Sequence, residues 1–262
     1  MNLSGETVLV TGASGGIGSA LVAELALREV RVLAGVRDLE RFEPPSDSNA
    51  LEVRPVLVDL ASRESIARSL DDLGEDLPRI GVLLNNAGVF EGGLLQEQRL
   101  DVIYELIQVN LAATIHLTQA VLPAMLRRGR GKIVNNASIA GYVHFPGSAP
   151  YAASKAGVVA FSESLRRELK GTGVGVTHLV TPGVATDMMD ETEAAYEPYV
   201  KRSSGWGHNE PAEWAKKVVK GIEDDDAVVG PGGPEALAKL ASRGPGVFVD
   251  AIAGVAFDRK GE

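Results

Sequence analysis

Cysteine is absent from all 262 residues. That excludes disulfides, thiolate nucleophiles and thiolate metal sites, and it fits a cytoplasmic enzyme. No run of eighteen apolar residues occurs, so no membrane-spanning segment is expected. The opening MNLSGETVLV has no basic stretch followed by a signal-type apolar segment. Positive charge is also in deficit: 26 Lys and Arg against 35 Asp and Glu leave a net charge of -9. With no basic stripe to neutralise phosphates, a nucleic-acid partner is not expected. The four His are scattered with no carboxylates at ligand spacing, and no metal is expected. No repeat, low-complexity tract or linker divides the chain. Its length, with 45% apolar residues, suits one large α/β domain over residues 1–262.

What is present begins with a strand. Thr7–Thr11 (TVLVT) is a β-branched run that reads as a buried strand. Gly12, Ala13, Ser14, Gly15, Gly16, Ile17 and Gly18 follow at once, then SALVAELALRE with helical periodicity. A strand entering a Gly-rich turn and then a helix suits a dinucleotide pyrophosphate. Backbone must approach phosphate closely, and a helix N-terminus offers free N–H groups and positive partial charge. The spacing is Gly-x-x-x-Gly-x-Gly, not the general Gly-x-Gly-x-x-Gly. Arg31–Val36 reads as the second strand, followed by Arg37 and Asp38. An acid at that strand end accepts from a ribose 2′-hydroxyl, whereas an Arg pairs with a 2′-phosphate. Arg37 favours NADP; NAD stays open, because Asp38 is the ribose acid if the strand ends one residue later.

A third strand is expected over residues 53–59, ending in Asp59 and Leu60 near the adenine edge. A helix over 62–73 follows, with Ser62 as its N-cap. A fourth strand opens at 82–84 and runs into Asn85, Asn86, Ala87 and Gly88, where the amides can tie strand ends together and Gly88 leaves the cofactor room. Residues 99–128 read as one long helical stretch holding Asn110, whose amide needs partners among apolar neighbours. It either bonds nearby main chain or holds a water leading to a lysine. Alternating strands and helices give a parallel sheet covered on both faces.

The chemistry is expected between Ser138 and Lys155. Tyr151 and Lys155 are four apart in an Ala-rich run, so on a helix they share one face. A phenol titrates near ~10 in water, and a fixed ammonium one turn away favours the phenolate. Gly141, Pro146, Gly147 and Pro150 make the intervening segment a loop that can return Ser138 beside Tyr151. Taken alone, the pair also fits a packed Tyr and a solvated Lys.

Thr11-Gly12-x-x-x-Gly16-x-Gly18, Asn85-Asn86-Ala87-Gly88, Asn110, Ser138, Tyr151-x-x-x-Lys155 and Pro182-Gly183, in this order, resemble the short-chain dehydrogenase/reductase family in its single-domain branch. The match covers about residues 5 to 190. The resemblance implies a Rossmann-type, doubly wound, mainly parallel seven-stranded sheet with helices on both faces. It also implies hydride transfer between a nicotinamide and a carbonyl or alcohol carbon. A tetrad carries over to Asn110, Ser138, Tyr151 and Lys155. In it Ser138 positions the substrate oxygen and Tyr151 moves its proton. Lys155 lowers the phenol pKa and holds the nicotinamide ribose, and Asn110 supports a relay water. One departure stands out. The family usually has three residues between its Pro-Gly and a following Thr that contacts the carboxamide, whereas Pro182-Gly183-Val184-Ala185-Thr186 has two. Val184 and Thr186 are cofactor contacts on this reading, with Thr186 displaced or the loop tighter.

Substrate choice is expected in the last third. A sixth strand is expected over residues 175–181, and residues 184–209 form the lid, with Met188, Met189, Tyr196, Tyr199 and Trp206 suiting a lipophilic carbonyl or alcohol. His144 and Phe145 are further pocket candidates. Asn209 is expected to cap a helix with Pro211 in its first turn, residues 228–230 to form the last strand, and residues 234–262 a tail helix. The relatives pair subunits through helices at 99–128 and 151–170, so a homodimer or homotetramer is implied. Competing readings are an NAD-dependent dehydrogenase of a hydroxylated metabolite and a silent nucleotide sensor.

Overall fold

The computed structural model describes residues 1–196 and 209–231. Short apolar runs form the strands β1 (Thr7–Thr11), β2 (Arg31–Val36), β3 (Glu52–Leu57), β4 (Ile80–Asn85), β5 (Gly131–Asn136), β6 (Val174–Leu179) and β7 (Val228–Val229). Helices separate them: α1 (Gly16–Ala26), α2 (Arg63–Leu73), α3 (Leu100–Ile107), α4 (Ala113–Arg128), α5 (Ala149–Glu168), α6 (Asp187–Tyr196) and α7 (Pro211–Glu223). All strand pairs are parallel, in the order β3-β2-β1-β4-β5-β6-β7. The order reverses between β1 and β4, and in such sheets ligands bind at the carboxyl ends of the strands beside that switch.

Successive side chains of a strand point to opposite faces, so β1 feeds two cores. Val8 and Val10 pack with Leu21 and Leu25 of α1 and with Trp214 and Val218 of α7. Leu9 packs with Ile66 of α2, with Leu117 and Val121 of α4, and with Leu165 of α5. Each fully buried side chain of this kind contributes about 1.5–3 kcal/mol. The run from Leu100 to Arg128 is long and apolar enough to cross a bilayer by length and composition; here Leu106, Leu117, Val121 and Met125 are buried in the fold.

Several details differ from the sequence expectation; β6 ends at Leu179 and β7 at Val229, each short of the expected bound. The stretch over 99–128 is not one uniform α-helix: a π-helical turn, Gln108–Ala112, joins α3 to α4. The third strand ends at Leu57, because Val58 N–H still donates to Val36 but Asp59 N–H turns away to Ser69 Oγ (3.0 Å). Glu210, not Asn209, is the N-cap of α7, since Asn209 is drawn to the carbonyl of Gly183 (3.0 Å). Ser62 caps α2 as expected, in a capping box with Ser65. Tyr199, Trp206 and the tail over 234–262 lie outside the described residues.

Candidate active site

The Gly-rich turn is shaped by contacts that allow no Cβ. Gly12 has φ +67, and a Cβ there would lie 2.9 Å from Ala87 Cα; one on Gly18 would lie 1.9 Å from the Gly12 carbonyl oxygen. Gly15 is different: its backbone is extended, and a Cβ there would meet nothing within 4 Å. No side chain caps α1, and its first turn carries no acid. Ser14, Gly15 and Gly16 are exposed and Ile17 is half-buried. A helix end with exposed backbone and no side-chain cap suits the pyrophosphate of a dinucleotide.

Two polar ladders fix the strand ends beneath it. Thr11 Oγ1 accepts from the N–H groups of Asn86 and Ala87 (both 3.0 Å), and Asn86 Nδ2 donates to the Thr11 carbonyl (3.0 Å). Asn136 Nδ2 donates to Asn86 Oδ1 (3.1 Å), and Thr181 Oγ1 to Asn136 Oδ1 (2.5 Å). On the other face Asn85 Nδ2 donates to Asn135 Oδ1 (2.9 Å), and Asn135 Nδ2 to Ser162 Oγ of α5 (2.9 Å). Neighbouring Asn residues serve opposite faces, so four strands are locked where a ligand would meet them.

The tetrad residues gather around this lock. Asn110, buried in the π-helical turn, accepts from Val89 N–H (2.8 Å) and donates to the Val89 carbonyl (2.9 Å) and to Ser154 Oγ (3.2 Å). Ser154 Oγ in turn donates to the Tyr151 carbonyl (2.7 Å). Of the two roles open to Asn110, main-chain bonding is the one its side chain performs here. Lys155 is 3% exposed and its Nζ donates to the Asn136 carbonyl (2.9 Å). Burial pulls its pKa down to about 8, so the ammonium stays mostly charged at neutral pH. That Nζ lies 5.7 Å from the centre of the Tyr151 ring, and Phe90 packs edge-on against the same ring at 5.1 Å. A Cβ on Gly88 would come within 3.3 Å of Asn110 Oδ1 and 3.4 Å of Lys155 Nζ, so Gly88 borders both groups. Ser138 is buried and its Oγ accepts from Ala140 N–H (3.1 Å); among the described residues its own proton has no acceptor. The turn after it, Ile139–Gly141, rests on α5, with a Cβ on Gly141 reaching 2.9 Å from the Lys155 carbonyl oxygen.

Arg37 is exposed just past β2 and has no hydrogen-bond or ion-pair partner among the described residues. Asp38 is committed elsewhere, its Oδ1 accepting from Glu40 N–H (3.0 Å). Asp59 is half-buried with Oδ1 accepting from Ala61 N–H (3.0 Å), and Leu60 is buried. Pro182 and Val184 are buried, and Gly183 accepts from Asn209. Thr186 lies against the Gly-rich turn, its Cγ2 being 2.9 Å from the Cβ direction of Gly16. The loop from Pro182 to Thr186 thus places Thr186 beside the Gly-rich turn. His144 is exposed, Phe145 and Met188 are half-buried, and Trp206 lies outside the described residues. Sequence reasoning missed Phe90, Ser154 and Thr181. A Ser three residues after Tyr151 in a helix was the signal for Ser154, because it can bond back to that carbonyl; nothing local marked the other two.

The family model for short chain dehydrogenase matches residues 6–197. The chain is 31% identical over 226 residues to the 3-oxoacyl-[acyl-carrier-protein] reductase of Haemophilus influenzae, covering 86% of this chain and 93% of that protein. It is 31% identical to the corresponding reductase of Thermotoga maritima, covering 87% and 95%. Among solved structures it is similar to a short chain dehydrogenase from Burkholderia cenocepacia in complex with NADP, with a TM-score of 0.79 and 26% identity over 97% of this chain and 99% of that one. A short-chain dehydrogenase from Sphingobium yanoikuyae in complex with NADPH gives 0.77 and 28% over 95% and 93%. The family model spans most of the chain and these relatives are matched over most of their length: the chain belongs to the short-chain dehydrogenase family of NAD(P)-dependent oxidoreductases.

Proposed function

We propose that the protein uses NADP(H) to interconvert a carbonyl and an alcohol on a small, lipophilic substrate, with Tyr151 as acid and base. The observation that carries this reading is the buried ammonium of Lys155, 2.9 Å from the Asn136 carbonyl and 5.7 Å from the Tyr151 ring centre. A charge held there favours the phenolate and prepares Tyr151 to exchange a proton near neutral pH. Ser138, with its own proton unengaged, donates to the substrate oxygen and holds it for Tyr151. Asn110 and Ser154 fix the backbone under Tyr151. The Gly-rich turn and the end of α1 hold the pyrophosphate, and Arg37 pairs with a 2′-phosphate. When bound, the nicotinamide supplies or accepts the hydride.

Two solved relatives carry NADP or NADPH, and the relatives named 3-oxoacyl reductases have a ketone as substrate; both support the reading. The half-buried Phe90, Phe145 and Met188 favour an apolar group beside the reacting carbon. Assembly as a homodimer or homotetramer belongs to the same proposal. Leu100, Tyr104 and Ile115 stand exposed along α3 and α4, at 66%, 69% and 41%, and a self-pairing helix face would cover them. Light scattering on the purified protein decides that point; a monomer at micromolar concentration refutes it.

Screening aldehydes, ketones and quinones with NADPH, read by absorbance loss, identifies the substrate class. Tyr151→Phe is expected to remove nearly all turnover while nucleotide binding persists, and Lys155→Ala to damage both. Normal turnover in Tyr151→Phe refutes the assignment. NADH binding as tightly as NADPH refutes the role of Arg37.

A further inference from the structure

Tyr142 follows Ser138 by four residues and is tied to the sheet by a group that the reaction does not use. Its hydroxyl lies 2.7 Å from His178 Nε2, and the two rings stack at 6.2 Å with 27° between their planes. His178 sits on β6 and is fully buried. Its Nδ1 lies 3.0 Å from Arg166 Nη2 of α5. Arg166 is itself placed by the carbonyls of Val176 (2.9 Å) and Ala227 (2.7 Å). A guanidinium has donors only, so Nδ1 of His178 must accept and cannot carry a proton. The neutral imidazole then has its proton on Nε2 and donates it to the Tyr142 oxygen. The direction of this hydrogen bond is set by Arg166, on the helix that also carries Tyr151 and Lys155.

We propose that Tyr142 is a positioning residue for Ser138, with His178 and Arg166 as its anchor. The turn Ile139–Gly141 is fastened at both ends to β6 and its continuation: Ile139 N–H donates to the Thr181 carbonyl (2.9 Å) on one side, and the Tyr142 hydroxyl meets His178 on the other. Ser138 Oγ accepts from Ala140 N–H inside that turn. A displaced turn therefore displaces the serine hydroxyl. The ring of Tyr142 also packs against the cluster of Ala137, Val158 and Val159, so the hydroxyl fixes the last degree of freedom rather than the fold. In the following segment Gly147, at φ +83, accepts from Gly93 N–H (2.9 Å), and Ser148 Oγ donates back to the Phe145 carbonyl (2.9 Å). This inference rests on Ser138 holding the substrate oxygen.

Tyr142→Phe keeps the ring and removes only the hydroxyl. It is expected to lower kcat about tenfold, the effect of one lost orienting hydrogen bond, with the KM for NADPH unchanged and the thermal midpoint within a few degrees of the parent. In a Ser138→Ala background the same change is expected to alter kcat less than about twofold, because the group it positions is gone. Equal losses in both backgrounds, or no loss in the parent, overturn the proposal. Where Ser138→Ala leaves too little turnover to divide, His178→Gln, which keeps a donor for Tyr142, is compared with His178→Leu, which does not; equal activity overturns it. Nitrogen-15 NMR is expected to show His178 as the Nε2–H tautomer, and a proton on Nδ1 overturns the anchor. Undiminished activity in Ser138→Ala alone is a separate result: it removes the serine assignment on which the inference stands.

Discussion

Lys155 combines three properties that do not usually coexist: it is charged, it is almost wholly buried, and the carbonyl of Asn136 is its hydrogen-bond acceptor among the described residues. Desolvation holds its pKa at about 8, below the ordinary 10.5. Between those values the unfolded chain binds a proton that the folded chain does not, so stability rises as pH rises through that window. Below pH 8 the cost of burial is present in full, about 3 kcal/mol. Lys155→Met is therefore expected to raise the thermal midpoint of the nucleotide-free protein by several degrees at pH 7 while lowering turnover at least about a hundredfold. The stability gap between parent and variant should narrow as pH approaches 10.5. A variant less stable than the parent at pH 7 contradicts the picture. The site would then owe its stability to this lysine instead of tolerating it.

At the scale of elements, α1 and the π-helical turn Gln108–Ala112 each carry a testable geometry. Gly18→Ala puts a methyl into the Gly12 carbonyl, whereas Gly15→Ala points one into open space. The first is expected to unfold the turn or abolish nucleotide binding, and the second to leave the thermal midpoint within about 2 °C, a change well under 1 kcal/mol. Asn110→Ala strands the N–H and carbonyl of Val89, at a cost of about 2–3 kcal/mol in urea unfolding. Elements of this kind were unevenly legible. Thr7–Thr11 and Arg31–Val36 stand where the sequence puts them, because a β-branched run between polar residues has few other options. The Ser62 cap was readable for a similar reason, since its partner Ser65 is three residues away. The π-helical turn was not, because one extra residue in a helix leaves no mark on apolar periodicity. Asn209 was misplaced as a cap because its partner, Gly183, is distant in sequence. Tyr142 and His178, 36 residues apart, were invisible for the same reason. The Gly-rich turn and the Tyr151–Lys155 spacing are local patterns and were readable; their anchors are not local.

At the scale of the molecule, an anionic dinucleotide approaches a protein of net charge -9. That background opposes binding only weakly, since charges beyond about 10 Å are screened at ordinary ionic strength. Recognition falls to the few positive features beside the crevice where the sheet order reverses. Among the described residues, and on the proposed reading, these are the N-terminus of α1, which no side chain caps, the Lys155 ammonium and Arg37, which has no partner there. On that reading Arg37, alone of the three, tells a 2′-phosphate from a hydroxyl, while Asp38 Oδ1 accepts from Glu40 N–H. A ligand that binds the folded chain alone stabilises it by about 2.7 kcal/mol at a hundredfold excess over its Kd. For a domain of this size that corresponds to a rise of roughly 5–10 °C in Tm. At one fixed concentration, NADPH is expected to raise the midpoint well above the value reached with NADH. Arg37→Ala should collapse the NADPH shift to the NADH level and leave the NADH shift as it was. Loss of both shifts together would mean that Arg37 supports the fold of the crevice, and an undiminished NADPH shift would mean that another cation reads the phosphate.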